Sequence, residues 1–287
     1  ASNVPSSALN GRTVKGDVKE TLSTLWFHDH REEFTAQNVY KGLLSFYTLF
    51  SEDILLDTNN ETTGLRLPSG DFDIPMVFLD VKFDPVTGKQ IMDTTNFDGH
   101  LGDKFTVNFK IQPFLNVRKR KYRFRLLNAG PSRYYEFFLS NGASFKELSS
   151  DGNFLPSTLT LTSLRLSPAE RSTIIVDFTN VAAGSKIYLQ NRLEQIDPAG
   201  PSGKIIAPTN LVEFRVQAGT VTDNSKVPTS ILALPNKNVA VAQSRRFDFG
   251  SSSGAWVING ELFDPNTIRV FPKQNTAEKW TFTSGGG

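Results

Sequence analysis

Along residues 121–126 the chain reads Lys-Tyr-Arg-Phe-Arg-Leu, with apolar and cationic side chains in strict alternation. Successive side chains of a strand point to opposite faces. Tyr122, Phe124 and Leu126 therefore share one face and the cations the other, which predicts a half-buried strand. Short runs of the same kind predict further strands at Asp73–Asp80, Lys104–Val107, Tyr134–Leu139, Leu159–Leu166, Thr173–Phe178, Lys186–Gln190 and Leu211–Val216. Turn signals separate them: Asn128-Ala129-Gly130-Pro131, Ser150-Asp151-Gly152-Asn153, Ala183-Gly184-Ser185 and the Pro/Gly-rich stretch Asp197–Gly203. Helix is scarce, the best candidate being Thr35–Leu44. Many short strands at this spacing predict an all-β chain built as a sandwich of antiparallel strands.

Two polar, turn-rich seams interrupt the pattern, at Ser51–Ser69 and Ala218–Gln243. The stretch between them, residues 70–217, has the length of one complete sandwich. The flanks hold only two or three strands each, too few to close a core of their own. Glu278–Phe282 reads as a strand that gives way at once to Ser284-Gly285-Gly286-Gly287, and the chain opens on Ala1. The flanks are therefore expected to pack on polypeptide outside this sequence.

Composition narrows the functional classes. Of 287 residues, 38% are hydrophobic and 23 are Phe, enough for a substantial core. The net charge of +2 gives no electrostatic argument for nucleic acid. The run Arg118-Lys119-Arg120-Lys121 is short and reads as a solvated strand end. With no cysteine, the chain carries no disulfide, zinc-thiolate site, cysteine nucleophile or iron–sulfur cluster. No apolar stretch approaches the ~18 residues of a membrane span, so none is expected.

The chemistry concentrates in Trp26-Phe27-His28-Asp29-His30, which holds two of the three histidines. If Ser23–His30 is a strand, Trp26, His28 and His30 lie on one face, with the two histidine Cα atoms about 6.5–7 Å apart. That spacing can feed two adjacent metal ions, one imidazole each. Neutral imidazole suits copper, zinc, iron and nickel alike. The pair cannot complete a site, because such sites take three or four protein ligands, and an isolated His-x-His also occurs as a plain surface pair. His100, in Phe97–Gly102, reads as a loop histidine. Asp29 falls on the opposite face from the two rings, as a solvated carboxylate or as a hydrogen-bonding partner around them.

These residues match a family. Thr24–His30, followed by Gln37-Asn38-Val39-Tyr40-Lys41-Gly42-Leu43, resembles the second copper motif of multicopper oxidases, in the spore-coat laccase and bilirubin oxidase branch. Leu67–Met76 is similar to the start of that branch's second cupredoxin domain. Arg120–Ala129, Ser167–Arg171 and Val176–Phe178 continue the likeness, and Trp256–Gly260 resembles the opening of the third domain. The resemblance implies cupredoxin-like Greek-key sandwiches, one complete and two partial. Residues 1–52 would be the C-terminal part of domain 1 and 53–69 a linker. Residues 70–217 would be domain 2, 218–243 a second linker and 244–287 the N-terminal part of domain 3.

By the same resemblance, His28 and His30 would each ligate one copper of the type 3 pair within a trinuclear cluster. The type 1 copper site, with its cysteine, would lie outside this chain. The family takes single electrons from phenols, amines or metal ions and reduces O2 to water. This chain alone would lack most of the copper ligands and be inactive. Its partners would be the remaining segments of the same protein, O2 and a small reducing substrate, in the periplasm or outside the cell. The fold also has copper-free relatives that act as scaffolds at the cell envelope, a second reading; a copper site built between subunits is a third. One departure stands out: Val107-Asn108-Phe109-Lys110 lies where the family has Asn-Gly in a tight turn, so a different loop is expected there.

Overall fold

The computed structural model describes residues 23–53, 55–96, 98–234 and 238–285. The first 22 residues of the expected 1–52 segment lie outside the described residues, as do Phe97, Gly286 and Gly287. The chain divides into two compact units, Ala1–Ala233 and Leu234–Gly287.

In the first unit, strand β1 (Thr24–His28) is followed by helix α1 (Thr35–Tyr40) and β2 (Leu44–Thr48). Then come β3 (Asp73–Phe83), β4 (Gln90–Ile91), β5 (Lys104–Val107), β6 (Lys110–Ile111), β7 (Phe114–Val117) and β8 (Lys121–Asn128). After these run β9 (Tyr135–Leu139), β10 (Phe145–Ser150), β11 (Asn153–Leu161), β12 (Leu164–Leu166), β13 (Arg171–Asp177), β14 (Lys186–Leu193) and β15 (Ile205–Val216). One sheet runs β11-β10-β13-β8-β3-β5-β6, with β4 paired to β3; the other runs β12-β9-β14-β15-β7. The architecture is cupredoxin-like. The sandwich is mixed rather than antiparallel throughout, because β3 pairs parallel to β8 and β7 parallel to β15. The expected strand Leu159–Leu166 is two strands, broken at Thr162 and Ser163, and its halves join different sheets.

The core fills the space between the two sheets. Phe124 stacks on Phe214 with centroids 5.1 Å apart, and Phe78 meets Phe137 at 4.7 Å. Tyr122, Leu126, Ile174, Val176, Leu189 and Val212 complete this layer, all buried. Burying each large apolar side chain contributes about 1.5–3 kcal/mol.

Two expectations about cations are corrected here. β8 is not half-buried: Arg123 and Arg125 are 0% and 1% exposed. Their face is covered by β1, β2 and residues around Asp57, so it needs carboxylates rather than water. Arg123 bonds Asp57 at 2.6 Å and Asp73 at 2.5 Å, and Arg125 grips Asp73 through Nε and Nη2 at 2.8–3.1 Å. Arg118–Lys121 is a solvated strand end only in part: Arg118 and Lys119 are exposed, but Arg120 is not. Arg120 is buried, paired with Glu61 and Asp223 and laid over the Phe72 ring at 3.4 Å. An alternating pattern marks the two faces of a strand; it does not say that the polar face is wet.

The turn at Asn108-Phe109 is also a correction. β5 and β6 form a two-residue hairpin in which both residues have positive φ, 49° and 64°. Asn108 Oδ1 accepts from the Val77 N–H at 2.8 Å and its Nδ2 donates to the Pro75 carbonyl at 3.0 Å. The Phe109 ring packs close to Gly42, 3.3 Å from where a Cβ on that glycine would sit. Side-chain anchorage thus holds a primed turn where Asn-Gly would ordinarily provide it.

In the second unit, β16 (Val241–Ser252), β17 (Ala255–Ile258) and β18 (Ala277–Ser284) form a three-stranded sheet in the order β17-β16-β18. Among the described residues, no helix is long and apolar enough to cross a membrane.

Candidate metal centre

β1 is held from two sides. It pairs antiparallel with β2, Trp26 opposite Phe46 and His28 opposite Leu44. Its first residues are stitched to the sandwich: Ser23 donates to Ser149 Oγ at 2.6 Å, Thr24 Oγ1 lies 2.9 Å from Thr173 Oγ1, and Arg125 Nη1 donates to Thr24 Oγ1 at 3.1 Å. Trp26, Leu44 and Phe46 pack on Val77, Leu127 and Ala129. The buried cations of β8 therefore also hold the strand that carries the histidine motif.

Trp26, His28 and His30 follow one another on the face expected for alternate residues. The Trp26 and His28 rings stack with centroids 4.4 Å apart, and those of His28 and His30 are 5.6 Å apart at 31°. The strand ends at His28, so His30 projects from the loop beyond it. His28 is half-buried and lines a hollow of about 190 Å³ with Trp26, Ala36, Val39, Gly130 and Pro168. His30 is exposed.

His28 Nδ1 lies 2.6 Å from the Asp29 carbonyl oxygen. A carbonyl can only accept, so Nδ1 carries a proton, and in the neutral ring Nε2 is the nitrogen with the lone pair. Fixing one ring nitrogen in this way is how proteins orient imidazole ligands. Asp29 is not a free carboxylate: it takes the Asn38 amide at 3.0 Å and the Arg31 N–H at 3.2 Å. Those hydrogen bonds, the Asn38 one foremost, hold its carboxyl below the ordinary aspartate range. Asp29 thus fastens α1 back onto the loop between the two histidines.

Two imidazoles, that of His28 oriented through Nδ1, fit copper in kind but not in number. Among the described residues no group of three or more His, Cys, Asp or Glu side chains could hold a metal ion. His100 lies far from this pair in its bonding: it is buried against Tyr40, with Nε2 3.2 Å from the hydroxyl. A loop position was legible in the sequence, but its burial was not.

The fold defines a cupredoxin-like chain that carries two neighbouring imidazoles, His28 and His30. No family model matches the chain. It is 34% identical over 290 residues to the laccase of Bacillus subtilis (strain 168), covering 90% of this chain and 51% of the laccase. It is 30% identical over 279 residues to the bilirubin oxidase of Albifimbria verrucaria, covering 93% of this chain and 47% of that enzyme. The cell division protein FtsP of Salmonella typhimurium matches at 30% over 276 residues, 92% of this chain and 54% of FtsP. Among solved structures, the multicopper oxidase McoA of Aquifex aeolicus aligns with a TM-score of 0.72 at 26% identity, over 84% of this chain and 51% of McoA. The chain belongs to the multicopper oxidase family. It spans about half the length of the curated relatives it matches.

Proposed function

We propose that this chain is part of a laccase-like enzyme. That enzyme couples one-electron oxidation of phenolic, amine or metal-ion substrates to four-electron reduction of O2 to water, in the periplasm or outside the cell. His28 and His30 each ligate one copper of the type 3 pair, and the sandwich of residues 70–217 is the middle domain that clamps its neighbours. Copper, when bound, supplies the redox chemistry; this chain's own part is to orient two imidazoles and wall the hollow beside them. The observation that carries the reading is the fixed His28 tautomer, which leaves Nε2 free beside a second imidazole 5.6 Å away. The other copper ligands, the type 1 site included, come from remaining segments of the same protein, so the chain alone is inactive. A copper-free scaffold at the cell envelope is the second reading, and the comparisons do not favour it. A scaffold has no physical need for the intact pair.

Copper titration of the chain, read by histidine NMR, tests this. Broadening centred on His28 and His30, with affinity lowered about tenfold or more in His28→Ala or His30→Ala, is the expected result. Equal copper binding by the chain and the double variant refutes it.

A further inference from the structure

Helix α1 begins at Thr35, five residues after His30, and walls the His28 hollow, yet little of its own holds it. It has six residues, no side-chain cap, no acid in its first turn and no base in its last. So short a helix depends on tertiary contacts. Its one buried residue is Tyr40, 1% exposed.

The Tyr40 hydroxyl is fully used. It accepts the Lys82 N–H at 2.8 Å and donates to the Ile91 carbonyl at 3.0 Å. With its one proton committed, it can only accept from His100 Nε2, 3.2 Å away. Nε2 is therefore protonated, and Nδ1 accepts the Asp93 N–H at 3.3 Å. Both nitrogens of a neutral imidazole are satisfied, each in one role. Gln90 adds a bond to the Tyr40 carbonyl at 2.7 Å. Two residues before Tyr40 in α1, Asn38 donates to the Asp29 carboxylate, and the Asp29 carbonyl accepts from His28 Nδ1.

We propose that Tyr40 and His100 are positioning residues for the His28 site: neutral His100 clamps Tyr40, and with it α1, onto the central sandwich, and protonation of His100 releases the clamp. The proposal rests on the copper reading only for the role of His28 as a ligand. A second proton on His100 would set an Nδ1–H against the Asp93 N–H, two donors with no acceptor between them. His100 borders a hollow of about 340 Å³ beside Lys82, Asp93, Ile196 and Pro198, through which solvent protons reach it. Burial foremost pushes the imidazole below its ordinary value, and Lys82 adds to this; Asp80 and Asp93 pull the other way. Asp80 is itself paired with Arg133 at 2.8 Å, and Asp103 faces Tyr40. The clamp therefore holds at neutral pH and weakens as the pH falls below ~6.5, the ordinary histidine value.

The test uses the full chain without metal. At pH 8, Tyr40→Phe should abolish the single Nδ1–H tautomer of His28 in 15N-histidine spectra and shift the Asn38 amide. It should also speed amide exchange in residues 35–40 about tenfold, the scale of one lost hydrogen bond. At pH 5.5, after correction for intrinsic rates, the unmodified chain should show the same acceleration. His100→Gln offers an amide donor and a carbonyl acceptor but does not titrate, so it should keep slow exchange at both pH values. A folded Tyr40→Phe with unchanged His28 tautomer and Asn38 amide overturns the proposal. So does exchange at pH 5.5 that is equal in the unmodified chain and His100→Gln, a comparison that stands even if Tyr40→Phe does not fold. Because every readout is taken without metal, a chain that fails to bind copper counts against the copper reading alone.

Discussion

Replacing Asp73 by Asn removes one of the two carboxylates that neutralise Arg123 and Arg125. Both guanidiniums are buried, and the Asp57 and Asp73 side chains are only 3% and 8% exposed. Asp57 alone would then face two cations, reaching Arg123 at 2.6 Å but Arg125 only at 3.8 Å. Breaking a buried ion pair by removing one partner costs about 3–5 kcal/mol, because the remaining charge stays out of water. A loss of about 4 kcal/mol over a urea slope near 3 kcal/mol per M lowers the unfolding midpoint by about 1.3 M. Trp26 packs on Val77, Leu127 and Ala129 and reports the first unit, provided Trp256 and Trp280 are first changed to Phe. Asp103→Asn is the control: its carboxylate is 62% exposed and lies 3.6 Å from Lys104. Such surface changes stay within about 0.5 kcal/mol, or about 0.2 M. If Asp73→Asn shifts the midpoint no further than Asp103→Asn, the buried network does not hold β8 and β1 in the way described.

Two further outcomes follow from the same unit. Burial pushes the Asp223 carboxyl up, but hydrogen bonds from Lys121 and Ser225 outweigh it and hold the group at about 2. Its folded value lies below the ordinary ~3.9, so its stabilisation is present above that pH and is lost as the pH falls toward 2. Asp223→Asn should flatten stability against pH between those limits, measured by urea unfolding at each pH. Gly102→Ala would place a Cβ 2.3 Å from the Val81 nitrogen and 2.5 Å from the Asp80 carbonyl carbon. Backbone cannot yield as a side chain can, so a loss of about 2–3 kcal/mol and a Tm drop of about 4–10 °C are expected by calorimetry.

The sequence alone determined the all-β class, most strand positions and the His28–His30 pair. Alternation and turn residues are local signals, and residues two apart along an extended segment share a face, which here carries one step past the end of β1 to His30. The family, too, was legible in short runs such as Trp26–His30 and Arg120–Ala129. What the tertiary structure decided was what covers each face. The same alternation that fixed the inner face of β8 left Arg123 and Arg125 looking solvated, because Asp57 and Asp73 lie 66 and 50 residues away along the chain. Phe109 in a primed turn made sense only once Asn108 was seen tied to Pro75 and Val77. The environment of His100 likewise hangs on Tyr40, 60 residues earlier. Local pattern sets where a side chain points; burial and pairing depend on distant segments that meet it, and no short window of sequence contains them.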